Sequence, residues 1–224
     1  MALLLHLETA TRNCSVALGR DGSLIDLEEQ ANEGYSHGEN LHLFIDRVLK
    51  RNDLQPRDLQ GVCVSKGPGS YTGLRIGVSA AKGLCFALDI PLISMTTNAV
   101  LAHHPAVEAA PDKKIVTVID ARRMEVYGQT FDSDRHPLSE IEALVVDEST
   151  FMGLEPFMLV GDGADKLREV TLGLRPDVHQ QFPSARDMVA LGEAAFRAKR
   201  FEDVAYFEPF YLKDFIAGIP KKLI

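Results

Sequence analysis

The sequence predicts an α/β protein of two lobes, each a mixed sheet with flanking helices. Three observations carry this. Strand-like runs alternate with helical stretches, and the pattern restarts at Ile115, so the chain reads as one arrangement written twice. The first strand of each half ends in a carboxylate, Glu8 and Asp120. These stand 112 positions apart (120 minus 8), half of the 224-residue chain. Each half also carries a strand that runs into a glycine turn, Gly67-Pro68-Gly69 in one and Gly161-Asp162-Gly163 in the other. The expected lobes are residues 1–105 and 106–224, with Ala106 to Lys114 as the linker.

The elements come in order. Ala2 to Leu7 is an apolar run that reads as a buried strand. Cys14, Val16 and Leu18 alternate with small residues, which gives a second strand. Asp21-Gly22 is a strong hairpin signal and leads into a more polar third strand, Leu24 to Ala31. Ser36 and Glu39 fit a capping box for a helix to about Arg51, with Leu41, Phe44, Ile45, Val48 and Leu49 on one face. Leu54 to Leu59 reads as a short helical piece. Gly61 to Ser65 is a strand, Thr72 to Leu88 a helix, Ile90 to Ser94 a strand, and Asn98 to His104 a helix stopped by Pro105.

In the second half Ile115 to Ile119, Met124 to Phe131 and Ile141 to Val146 are strands, the first two joined by a turn at Arg122-Arg123. Phe157 to Val160 is a strand that should pass through Gly161-Asp162-Gly163 into a helix. Ser184 caps a last helix to about Arg200, and the aromatic tail Pro209 to Lys213 should fold back. No repeats of 20–50 residues and no low-complexity tracts interrupt this.

Composition narrows the function classes. With 46% hydrophobic and 25% charged residues, the chain is ordinary for a globular protein. A net charge of −8 argues against binding nucleic acid mainly through its own surface. Cys14, Cys63 and Cys85 are far apart and read as small buried hydrophobes in a reducing compartment. Met1 to Leu7 is too short, and lacks the basic start, to be a signal peptide or a membrane span. A cytoplasmic protein without membrane contact is expected.

The stretch from Ser65 to Leu88 organises the rest. Gly67, Pro68 and Gly69 make a tight turn, and Ser70 or Thr72 caps the helix after it. In that helix Gly73, Gly77, Ala80, Ala81 and Leu84 share a face. Interior glycines each cost about 1 kcal/mol against alanine, so another backbone must come close. Three readings stay open: tight packing on the chain's own sheet, a helix–helix contact with another subunit, or an anion at the glycine turn. A Walker A loop is excluded, because no Gly-Lys-Ser/Thr comes after the glycines.

The chemistry is sparse. The seven histidines include no His-x-x-x-His, so no metal site is expected. Glu8 and Asp120 could face one another across a cleft, but the first turn, Thr9 to Asn13, has no glycine to admit phosphates. Gly-x-Ser-x-Gly is absent, which removes the hydrolase elbow.

The run Gly67-Pro68-Gly69-Ser70-Tyr71-Thr72-Gly73-Leu74-Arg75-Ile76-Gly77, with Ala80-Ala81-Lys82-Gly83 after it, resembles the signature of the TsaB (YeaZ) family. These are non-catalytic paralogues of the TsaD carbamoyltransferases, in the actin-like ASKHA superfamily. Glu8-Thr9-Ala10-Thr11, Asp120-Ala121-Arg122, Glu125-Val126-Tyr127, Gly161-Asp162-Gly163 and Tyr211-Leu212-Lys213 extend the likeness in order. Glu8 departs from it, since the family usually has Asp there.

The resemblance implies a two-lobed ASKHA fold and a subunit that is not itself an enzyme and carries no cofactor, catalytic residue or metal. It implies a TsaD-like catalytic partner, a TsaE-like ATPase, tRNA contact only through the complex, and a homodimer when alone. The joint activity would transfer threonylcarbamoyl to adenosine 37 of tRNAs reading codons that begin with A. Leu41, Ile45, Gly73, Gly77, Ala80, Ala81 and Leu84 are the expected partner interface, and Gly77→Leu is expected to block pairing without unfolding the monomer. Glu8, Asp120, Gly161 and Gly163 would form a vestigial nucleotide cleft. The competing expectation is an autonomous nucleotide-dependent phosphotransferase or hydrolase of the same fold.

Overall fold

The computed structural model describes residues 2–31, 37–109 and 112–213. The first lobe begins with β1 (Leu3–Glu8), β2 (Asn13–Arg20) and β3 (Ser23–Ala31), an antiparallel meander. Asp21 and Gly22 both take positive φ, 54° and 79°, the backbone that a two-residue hairpin requires. Helix α1 (His37–Arg51) is next and buries Leu41, Phe44, Ile45, Val48 and Leu49. The Ser36 cap expected for it lies outside the described residues. A single 3₁₀ turn at Pro56–Asp58 leads to β4 (Gly61–Gly67), α2 (Tyr71–Leu88), β5 (Leu92–Thr96) and α3 (Thr97–Ala102). Ser70 caps α2: its hydroxyl accepts the Gly73 N–H at 3.2 Å.

The second lobe holds β6 (Lys114–Asp120), β7 (Glu125–Phe131), β8 (Glu142–Val145), β9 (Phe157–Gly161) and β10 (Asp177–Gln180). The first sheet runs β3-β2-β1-β4-β5. The second, read from its β8 edge, runs β8-β7-β6-β9-β10. In each, the first strand pairs antiparallel with the second and parallel with the fourth. The two lobes therefore share one topology, as the doubled pattern of the sequence predicts. The complete burial of β1 and β9 explains why they read as unbroken apolar runs.

Two expectations change. After Gly163 the chain makes only a 3₁₀ turn, Asp165–Leu167, because Leu167 alone faces the core there and Asp165, Lys166 and Arg168 stay polar. The last helix is shorter than predicted: a 3₁₀ turn at Ala185–Met188 precedes α4 (Val189–Arg197). Strand β10 was not foreseen, since Asp177-Val178-His179-Gln180 is half-buried and carries no clear alternation.

The chain then returns to its start. Ala185, Met188, Val189 and Ala195 close a core cluster with Ala2, Leu4, Ala17, Cys63 and Ile93 of the first sheet. A division at 105/106 thus does not describe the packing, because residues 184–213 cover the first lobe. Helix α3 joins the sheets on the buried side: the Asn98 amide donates to Thr117 Oγ1 at 2.9 Å and to the Tyr127 carbonyl at 3.3 Å.

Candidate functional site

The glycine turn and α2 pack on the β1–β2 turn. Ser70 N–H donates to the Ala10 carbonyl at 2.7 Å, and Thr9 Oγ1 donates to the Gly73 carbonyl at 2.8 Å. A Cβ at Gly69 would collide with the Ala10 carbonyl oxygen, one at Gly73 with the Thr9 carbonyl oxygen, and one at Gly77 with Thr9 Oγ1. Gly67, at φ +110°, lies under the Phe210 carbonyl. The Leu74, Val78, Ala81 and Cys85 side chains bury toward the sheet. His37 at the start of α1 completes the arrangement, its Nε2 2.7 Å from the Thr11 carbonyl oxygen.

Of the three readings left open for the glycine face, self-packing accounts for Gly73 and Gly77. The group that comes close is Thr9 of the same lobe, its carbonyl at Gly73 and its side chain at Gly77. Leu41, Gly73, Gly77 and Ala81 are buried, Ile45 and Ala80 keep 7% and 8% exposure, and Leu84 is partly buried. Gly77→Leu would therefore strike Thr9 inside the lobe, so it is not the silent substitution that the sequence suggests.

The open face of α2 lies one step around the helix. Thr72, Ser79, Gly83, Phe86 and Ala87 are exposed there, Phe86 by 84%, and Ile76 sits beside Gly38 of α1. Gly83 is the informative residue: a Cβ placed on it meets nothing within 4 Å. No contact among the described residues of this chain requires a glycine there. Its signal in the sequence, a glycine in mid-helix, was visible; only the structure separates it from Gly73 and Gly77.

The cleft residues fall into two groups. Asp120, Gly161 and Gly163 meet at the ends of β6 and β9. The Asp120 carboxylate pairs with Lys166, its N–H donates to Asp162 Oδ1 at 2.9 Å, and Gly163 N–H donates to the Val118 carbonyl at 3.1 Å. Gly161, at φ +141°, has the Val118 carbonyl where a Cβ would sit. Burial pushes the Asp162 carboxyl up to about 6. Arg122 and Arg123 form the neighbouring turn, both with positive φ.

Glu8 belongs to neither an open cleft nor that group. It is fully buried, its Oε1 accepts the Ala10 N–H at 2.6 Å, and burial, reinforced by the nearby Asp187 charge, pushes its carboxyl up to about 7. The adjoining turn is sealed as well, with Thr9, Ala10 and Thr11 at 0%, 1% and 3% exposure. The Ala10 N–H of this turn is already taken by Glu8, which leaves it unavailable to a phosphate. Among the described residues no group of three or more His, Cys, Asp or Glu is placed to hold a metal ion, and no helix is long and apolar enough to cross a membrane. The three cysteines are buried and unbridged, and burial pushes the Cys14 and Cys85 thiols up to about 12 and about 11.

Comparison with known proteins agrees with this geometry. The profile of the family described as "TsaD: tRNA N6-adenosine threonylcarbamoyltransferase" matches residues 31–221. The chain is 28% identical over 225 residues to the Escherichia coli "tRNA threonylcarbamoyladenosine biosynthesis protein TsaB", covering 96% of each. It is 36% identical over 124 residues to the Haemophilus influenzae protein of the same name, covering 55% of this chain and 51% of that one. Among solved structures, YeaZ from Pseudomonas aeruginosa superposes with a TM-score of 0.83 over 95% of this chain and 100% of that one, at 23% identity, which shows the shared fold. Together with the signature from Gly67 to Gly83, these matches place the chain in the TsaD family, on its TsaB (YeaZ) branch.

Proposed function

We propose that this chain is a cytoplasmic, non-catalytic scaffold and activating subunit in tRNA threonylcarbamoyladenosine biosynthesis. Its catalytic partner would be a TsaD-like subunit that transfers threonylcarbamoyl to adenosine 37, assisted by a TsaE-like ATPase, with tRNA held only through the complex. Family membership supports the pathway. The sealed Glu8 and the buried Thr9–Thr11 turn speak against an autonomous phosphotransferase or hydrolase.

The observation that carries the scaffold reading is Gly83. An exposed glycine in the middle of an 18-residue helix forgoes about 1 kcal/mol of helix stability. Nothing within the described residues accounts for it, so the reading assigns the close approach to a partner helix. The seat would be the exposed side of α2 at Ile76, Gly83 and Ala87, with Ile45, Ala80 and Leu84 at its base and Gly38 and His42 of α1 along one edge. A second copy would occupy the same seat when the partner is absent.

The test is co-purification with the TsaD-like subunit of the same organism, followed by a threonylcarbamoyl-transfer assay with each protein alone and together. The mixture, and not this chain alone, is expected to modify tRNA. Gly83→Leu is expected to fold as stably as the parent and to weaken pairing at least tenfold, since a side chain there meets only the partner. Full pairing by folded Gly83→Leu would overturn the seat. Turnover by this chain alone would overturn the scaffold.

A further inference from the structure

We propose that residues 201–213 form a releasable strap that ties α2 of the first lobe to β7 of the second and holds the angle between the two sheets. The path of the segment can be traced bond by bond. Glu202 N–H donates to the Leu92 carbonyl of β5 at 2.8 Å. The Lys82 ammonium on α2 donates to the Ala205 and Phe207 carbonyls at 3.1 and 2.9 Å. Phe210 N–H donates to the Lys66 carbonyl at 2.7 Å, just before the glycine turn. Tyr211 then reaches the start of α2. Its ring lies 5.0 Å from that of Tyr71, and its hydroxyl accepts from Arg75 Nε at 3.2 Å, while the Arg75 guanidinium sits 4.0 Å from the Tyr71 ring centre. Two residues later Lys213 crosses to the second lobe and pairs with Glu125 of β7 at 2.5 Å.

The strap is built to come off. Phe201 stacks on Phe196, and Val204 and Phe207 pack against the core of the first lobe, which anchors the strap there, but its crossing end is exposed at Phe210, Tyr211 and Lys213 and is held by separate contacts at the surface. Exposed ion pairs contribute about 0–1 kcal/mol each and weaken with salt. Segments held this way open at free energies well below that of global unfolding. Its position gives the opening a consequence. Asn98 of α3 joins the lobes in the interior, where Ala102 and Val107 also pack against Ile115, Phe131, Met158 and Val160, and Lys213–Glu125 joins them at the surface. With the buried contacts of α3 as the hinge, the surface pair narrows the range of lobe angles that the hinge allows. The strap also lies along the flank of α2 opposite α1, so lobe angle and partner seat are mechanically joined. That last step rests on the proposed partner seat; the exchange and distance measurements are made on the chain alone and do not depend on it.

The experiment is amide hydrogen exchange on the full chain, with spin labels at Arg57→Cys and Glu148→Cys, exposed positions on the two lobes, reporting the distance between them. Lys213→Glu and, independently, Tyr211→Ala are expected to raise exchange at the Phe210 amide about tenfold. They should leave the β1 and β4 amides unchanged and broaden the inter-lobe distance distribution. The exchanged pair Lys213→Glu with Glu125→Lys should restore both readings. Parental exchange and distances in both single variants would overturn the proposal. So would faster exchange at Phe210 with an unchanged distance, because the strap would then hold nothing between the lobes.

Discussion

Glu8 and His6 sit on the same strand and pull stability in opposite directions with pH. Burial raises the Glu8 carboxyl from 4.5 to about 7, so the fold keeps a proton that the unfolded chain releases. Its contribution is complete below about pH 4.5 and is lost as pH rises through about 7. Asp162 and Asp187, both raised by burial to about 6, act in the same sense. His6, whose site is kept open by Gly19 and Gly192, is lowered by burial from 6.5 to about 4. Its contribution is complete above about pH 6.5 and is lost as pH falls toward 4. The urea midpoint is therefore expected to fall as pH rises from about 6.5 to 8, where the Glu8 contribution is being lost and that of His6 is already complete. Glu8→Gln removes the alkaline penalty: at about pH 8 it should stabilise the chain by up to roughly 3 kcal/mol, with little change near pH 4.5. A midpoint that is flat from pH 5 to 8 in the parent would contradict this assignment.

At the scale of one element, α2 carries three glycines with two different reasons. Gly73 and Gly77 admit Thr9, and Gly83 admits nothing from the described chain. Gly77→Ala should overpack the lobe and lower its stability by about 1–3 kcal/mol. Gly83→Ala should raise the stability of the isolated chain by about 1 kcal/mol, as an ordinary helix substitution does. Chemical denaturation of the two variants separates the cases, and a destabilised Gly83→Ala would remove the argument for a partner at that position. The sequence announced a helix with a small-residue face through its spacing of three and four. It could not say which glycines face inward, because Gly77 and Gly83 differ only by their angle about the helix axis and by what the rest of the fold puts there.

At the scale of the molecule, the first sheet is completed by the end of the chain. Met188, Val189 and Ala195 cover Leu4, Ala17 and Cys63, so a fragment of residues 1–105 would leave that face bare. Such a fragment is expected to lack a cooperative unfolding transition, while the full chain shows one. Cooperative unfolding by the fragment, monitored by circular dichroism in urea, would mean that the C-terminal return adds little. The doubling of the lobes was legible because each half repeats the same strand signals, and the hairpin at Asp21-Gly22 was legible because its backbone needs those residues. The return of residues 184–213 was not, since an amphipathic helix shows that it has a partner surface and not which surface it is.

By itself the sequence determined the local elements, the doubled α/β plan and the family, because periodicity, turn chemistry and a long signature are properties of neighbours in the chain. Only the tertiary structure decided that Glu8 is sealed while Asp120 is exposed and paired with Lys166. It alone decided that the glycine turn locks onto Thr9 and Ala10, and that the tail bridges the lobes at Glu125. The reason is physical: burial, charge pairing and close approach depend on groups brought together from distant positions of the sequence, and no local pattern encodes the distance between them.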